Sequence, residues 1–446
     1  MLYHLEIANA ALKKALARSV DQAEVYLTSE KRNQIDVLDQ KVETLDQVQE
    51  LGMAVRVIKD QRLGFSYSSD LDINVIDEVI DQAVANAASA AVDGSNVLPG
   101  PPGQIADLPL YDPAIAITPV QKKIELALKV EETAYRTDPR IKKTEKVTYA
   151  DVESEVWIIN SNGLNAHFRS NYCGAHADVI AEKDGEMESG FGLGYFKNFG
   201  DLKAEEIGQE AAQKAVLLLG AKTIPSQKLP LIFDPWVGTQ FLEVLSNALS
   251  SEAVQKGKSL FAGRAGKIIG AGTLNIIDNG RLSNGLAAAP FDGEGVATQE
   301  TRLIDSGVLR SFLYNSYTAH KESRRSTGNA VRASFKSLPA VAPTNLYIDS
   351  GIISPDVIIR SVARGLYITR VMGIHTANPI SGDFSLGAAG IMIENGERTY
   401  PVRGITVAGN LMDLLRSIEA IGSDLRFFTT LGSPTLLVSD IAVGGT

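Results

Sequence analysis

Five histidines and one cysteine bound the chemistry that this 446-residue chain can carry. Two of the histidines flank the cysteine. His167, Cys173 and His176 form H-x5-C-x2-H, a spacing that invites a metal ion. The surrounding pattern alternates as a strand does, so 167 and 173 share a face and 176 points the other way. No fourth ligand stands at metal spacing, and half-buried strand residues explain the three. HExxH, HxxEH and CxxC do not occur, nor do the hydrolase elbow GxSxG and the phosphate loop GxxxxGK[ST]. Gly190-Phe-Gly-Leu-Gly194 sits inside an alternating strand with no helix directly after it, which removes a dinucleotide reading.

The informative segment is Gly373–Gly390, dense in glycine and small polar residues. Glycines there permit close backbone approach. His375 and Asp383 have the types of a base and its orienter. Ser381, Gly382, Asp383, Ser385 and Gly387 are candidates for holding a bound chain, with Asn395 just beyond. The competing reading is a tight loop that satisfies its own amides. Asn395-Gly396 between two apolar runs is a hairpin signal, and Asn410 is a helix cap.

The elements that position these residues follow from hydrophobic period. Residues 1–18 read as an amphipathic helix. Strands follow at 23–27, 35–37, 51–58 and 62–68, then a helix at 70–91. Pro and Gly break residues 93–103. A helix at 119–136 is followed by strands at 147–151, 155–160, 165–170, 175–182 and 188–196, and a helix at 204–219. Leu63-Gly-Phe and Ser189-Gly-Phe191 occupy matching places, so a strand-strand-helix unit reads as duplicated over 1–92 and 118–220. The expected class is α+β, with an N-terminal α/β-layered domain over 1–225 and a mainly β C-terminal domain over 228–446. In the second domain the convincing helices are 237–255 and 410–420.

The formal charge is −10, and no basic, aromatic-interleaved surface appears, which argues against nucleic acid. No apolar run approaches the ~18 residues of a membrane helix, and the N-terminus lacks the order of a signal peptide. One cysteine excludes an internal disulfide and fits a reducing, cytoplasmic setting.

The string Ser381-Gly-Asp-Phe-Ser385, Gly390, Glu394-Asn-Gly396, Pro401-Val402, Ile405-Thr-Val-Ala-Gly-Asn-Leu411 and Ile421-Gly-Ser-Asp424 resembles the C-terminal signature of the PmbA/TldD family, also called modulators of DNA gyrase. The likeness extends to Ala248–Val254, Lys258-Ser259, Leu309–Asn315 and Ser326–Asn329, and in layout to the whole chain. It implies a cytosolic peptidase assembly. A TldD-type subunit supplies an HExxxH metal site, and a PmbA-type (TldE) subunit pairs with it to cleave unfolded or short polypeptides. Aligned back from Lys258-Ser259, that motif falls on Leu242–Asn247. Glu243 takes the glutamate position, while Leu242 and Asn247 replace the histidines. The third ligand, a cysteine, is also missing, since the end reads Gly432–Val438.

The resemblance therefore implies a PmbA/TldE-like subunit without metal of its own. Zinc is expected only in a TldD-type partner; a homodimer is expected in isolation and a heterodimer with that partner in the cell. Glu243 joins His375 and Asp383 as a catalytic candidate. The alternatives are an autonomous peptidase or amidohydrolase using His375 and Asp383, and a regulatory protein acting on DNA gyrase.

Overall fold

The computed structural model describes residues 2–445; Met1 and Thr446, the outermost residues of the expected helix and domains, lie outside the described residues. The chain opens with α1 (Leu2–Leu16), then β1 (Gln22–Leu38), β2 (Lys41–Lys59), β3 (Arg62–Ser68) and α2 (Ile73–Ser89). A short α3 (Pro113–Ile117) precedes a second run of the same order: α4 (Val120–Thr137), β4 (Ile141–Asn160), β5 (Asn165–Lys183), β6 (Glu186–Phe196) and α5 (Ala204–Leu217). One six-stranded sheet results, in the order β3-β2-β1-β4-β5-β6. Every pair is antiparallel, and β1 meets β4 at the centre from Glu24↔Asn160 to Val37↔Val147.

The separate strands expected at 23–27 and 35–37 are one strand, as are those at 147–151 and 155–160. Their polar middles obscure the period, but ladders on both sides carry the backbone through. Those expected at 165–170 and 175–182 are likewise one strand, so each unit has three strands before its closing helix.

The helices cover one face of this sheet. Val25, Met53, Val55 and Val57 pack under α1 and α2, and Ile35, Val37, Tyr149 and Ala177 under α4 and α5. Gly64 and Gly190 explain the matching Gly-Phe pairs. A Cβ on Gly64 would lie 1.9 Å from the Ala83 carbonyl of α2, and one on Gly190 2.2 Å from the Ala215 nitrogen of α5. Both glycines let a helix backbone rest directly on its strand.

The other face meets the C-terminal half. Tyr26, Ala54, Val156 and Ile158 pack there against Phe291 and Phe335. Beside them runs a buried ionic chain. Glu24 accepts from Arg56 at 3.1 and 2.7 Å and from Arg332 at 2.5 Å, and Arg56 donates to Glu294 at 3.0 Å. All four side chains are 5% exposed or less.

Residues 90–112 strap the β4–β5 end of the sheet. Asn160 and Asn162 donate to the carbonyls of Pro99 and Leu98, and further on the Asn171 N–H donates to Leu110.

Beyond β7 (Gln227–Phe233) and α6 (Pro235–Ala248), two six-stranded sheets enclose a single large core. One contains β7 beside Arg364–Met372, Asp383–Glu394 and Glu397–Asn410, and α6 packs on strands of both sheets. The mixed α+β class, with a largely β C-terminal half, is as expected. The expected helix 237–255 is interrupted. Leu249 and Ser251 exchange backbone hydrogen bonds with Leu313, so α6 stops at Ala248 and a new turn of helix starts at Ser251. The helix expected to reach residue 420 stops at Arg416, because Ile418–Ile421 joins the sheet beside Leu436–Gly444. No helix among the described residues is long and apolar enough to cross a membrane.

Candidate functional site

α6 starts firmly. Asp234 caps it by accepting from the Trp236 N–H at 2.9 Å, and Pro235 occupies the first turn. Along α6, Gln240, Glu243 and Asn247 make a polar stripe at i, i+3 and i+7 on a mainly apolar helix. Glu243 and Asn247, one turn apart, are exposed. Facing them is the loop after strand Arg364–Met372. The two walls enclose a pocket of about 320 Å3, lined by Glu243, Val244, Asn247, Ile374, His375, Ala377 and Pro379. A carboxylate, an amide and an imidazole thus converge, with apolar residues between them. Residue type suggested His375 and the family alignment Glu243, each separately; the packing of α6 against the loop brings them together.

The loop is held rigidly from behind. Gly373 has φ +81, which lets the chain turn out of the strand, and Thr376 N–H returns to its carbonyl. The Asn378 side chain accepts from the N–H groups of Ile380 and Ser381, and the Pro379 carbonyl accepts from Leu260. Phe384 meets Phe241 of α6 edge-on at 5.3 Å.

Asp383 does not orient His375. Its carboxylate accepts from Asn410 Nδ2 at 2.8 Å, the same amide that donates to the Ser381 carbonyl. The bonds from Asn410 and Ser381 hold the Asp383 carboxyl below the usual carboxylate range. Asp383 is therefore a loop staple, and no hydrogen bond joins it to His375 among the described residues. Gly382 (φ +86) lies against Asn410, and its carbonyl accepts from Leu411. Ser385 is exposed on its strand opposite Ala408, and Gly387 pairs with Met372 and Thr406. Asn395 is elsewhere. With Gly396 it turns the following hairpin, and it lines a separate pocket with Arg360 and Arg398.

Leu242, the aligned ligand position, is completely buried in the C-terminal core. Among the described residues no three His, Cys, Asp or Glu side chains are grouped to hold a metal ion. Tetrahedral zinc with three protein ligands does not fit a pocket offering one carboxylate, one imidazole and one amide. Nor do the residues of H-x5-C-x2-H converge. His167 bonds Glu155 at 2.9 Å, His176 lies 3.4 Å from Asp178, and Cys173 is buried, its thiol pushed up to about 12 by burial.

Three family models match this chain consecutively: PmbA/TldA metallopeptidase domain 1 over residues 23–89, the central domain over 114–219, and the C-terminal domain over 226–445. Metalloprotease PmbA of Escherichia coli O157:H7 is 29% identical, covering 99% of this chain and 96% of its own length. A metalloprotease TldD homolog of Haemophilus influenzae is 27% identical over 89% of this chain and 87% of its own. A crystal structure from Thermotoga maritima, described as a modulator of a DNA gyrase, superposes with a TM-score of 0.92 at 29% identity, covering 98% of this chain and 99% of that one. TldE from Thermococcus kodakarensis shares the fold, with a TM-score of 0.91 at 22% identity over 98% and 100% of the two chains.

Proposed function

Because this chain belongs to the PmbA/TldD metallopeptidase family, we propose that it is the PmbA/TldE-like subunit of a two-component peptidase, pairing with a TldD-type chain that brings the metal. In this reading the chain binds unfolded or short polypeptide and completes the chamber, and zinc belongs to the partner. The observation that carries it is Leu242, fully buried where a ligand would stand, beside a pocket with too few donors for zinc. Relatives named for both TldD and PmbA are consistent with such a pairing. In the assembled enzyme Glu243, Asn247 and His375 would contact the bound chain by hydrogen bonds, with Ile374 and Pro379 supplying apolar contact.

The test mixes the purified chain with a TldD-type protein. Alone, the chain is expected to hold no stoichiometric zinc, to leave casein uncut and to behave as a homodimer. Together the two are expected to form a heterodimer whose casein cleavage is abolished by a chelator. In that complex His375→Ala should raise KM more than it lowers kcat, the signature of lost binding. Stoichiometric zinc in the isolated chain, with chelator-sensitive cleavage, would sink the proposal. The autonomous reading through His375 and Asp383 lacks the base–orienter contact that it needs.

A further inference from the structure

The outer edge of β5 is paired along only part of its length. β6 covers it from Cys173 to Lys183, while β4 accompanies its inner side from Asn165 onward. Between Asn165 and Ser170 no backbone hydrogen bond leaves the outer side, among the described residues. The next outward bond, from the Asn171 N–H to the Leu110 carbonyl, fixes the parity. Backbone groups alternate sides along an antiparallel strand, so the N–H and C=O of Asn165, His167 and Arg169 also point outward. The β4–β5 register has no irregularity over this stretch. Three donors and three acceptors at strand spacing are left without a protein partner among the described residues.

An exposed edge of this kind is normally blunted or covered. Here the strap 90–112 is anchored at each end of the edge but stands away from it in between. A pocket of about 510 Å3 separates Ile105–Tyr111 from Asn165–Arg169. Phe168 and Phe291, edge-on at 5.0 Å, form its floor. Across them lies a second, mainly apolar pocket of about 380 Å3, lined by Tyr26, Val156, Leu286 and Ala289.

We propose that the open edge of β5 is a polypeptide-binding exosite: an extended segment adds as a strand beside Asn165–Arg169, under the strap, and places an apolar side chain against Phe168 and Phe291. Backbone pairing supplies sequence-independent affinity, and alternate side chains set the preference. The occupant must be extended, because only a strand matches donors and acceptors that repeat every second residue. It must carry an apolar side chain, because the adjoining pocket is walled by aromatic and aliphatic groups. The proposal stands on the sheet edge and not on the proposed pairing with a metal-bearing subunit.

The experiment uses the isolated full chain and fluorescein-labelled casein, read by anisotropy, with hydrogen exchange of the same mixture. Casein binding is expected to slow exchange at the amides of residues 165–169. Arg169→Pro removes one outward donor and no β4 hydrogen bond. It should weaken binding at least about tenfold, the size of a lost hydrogen bond plus a disturbed neighbour. Arg169→Ala, which removes only the side chain near Tyr111 and Glu153, should stay within about threefold of the wild type. The idea fails if wild-type protein does not bind casein, or if Arg169→Pro and Arg169→Ala bind alike. It also fails if exchange at 165–169 is unchanged on binding, a readout independent of whether the proline variant folds. Protection of these amides in the protein alone, lost on dilution, would assign the edge to a second copy and overturn the proposal.

Discussion

Arg56→Met should lower the free energy of unfolding by about 3–5 kcal/mol, the cost of leaving buried charge without its partner. Arg56 lies between Glu24 and Glu294, whose side chains are each 1% exposed. Removing it strands Glu294, whose other oxygen keeps only the Ser316 N–H at 2.8 Å, while Glu24 retains Arg332. The double variant Arg56→Met with Glu294→Gln should therefore recover a substantial part of the loss. Urea unfolding of the full chain measures both. The chain's two tryptophans make the result more specific, since Trp157 reports on the N-terminal sheet and Trp236 on α6. Because the ionic chain joins the N-terminal sheet to Glu294 and Arg332 of the C-terminal half, Arg56→Met should separate transitions that coincide in the wild type. An unchanged midpoint at both tryptophans would show that the pairing contributes nothing net.

The second large effect is expected at Gly64 and Gly190. Alanine in a strand interior ordinarily stabilises relative to glycine. Here the sign reverses, since the new methyl would lie within 1.9 or 2.2 Å of helix backbone. Backbone cannot swing aside as a side chain can, so the helix must lift from the sheet. Gly64→Ala and Gly190→Ala are each expected to destabilise by about 1–3 kcal/mol, as overpacked cores do. Gly100, where an added methyl would meet nothing within 4 Å, is the control; Gly100→Ala should shift stability by less than about 0.5 kcal/mol. Thermal unfolding of the three variants tests the ordering, and a Gly64→Ala protein as stable as wild type would refute the close-approach argument.

Local signals account for much of what the sequence made legible. Period two and period 3.6 located Arg62–Ser68 and the helices α2, α4 and α5 within a few residues. Asn395-Gly396 turns a hairpin with both residues at positive φ, as its dipeptide implied. What escaped was set by distant partners. The polar middle of β1 is strand only because β2 and β4 flank it. The break after Ala248 depends on Leu313, more than sixty residues later. At the site, residue type suggested a His375–Asp383 pair, but Asn410 takes the carboxylate. The actual neighbours of His375 are Glu243 and Asn247, brought together by the packing of α6 on the sheet. Neither contact leaves a trace in spacing.

The β1–β4 seam has a consequence for how such a sheet could arise. Each half of it is a helix, three strands and a helix, and the halves meet through antiparallel first strands. Cut between them, a piece ending near residue 92 would bare β1 from Glu24 to Val37. Another β1 is a natural substitute for β4, since antiparallel partners can be exchanged about a two-fold axis. Such a fragment should assemble as a symmetric pair with the strand order of the intact sheet. In the intact chain β4 takes that place, and the strap 90–112 is the covalent tether that a pair of such fragments would lack.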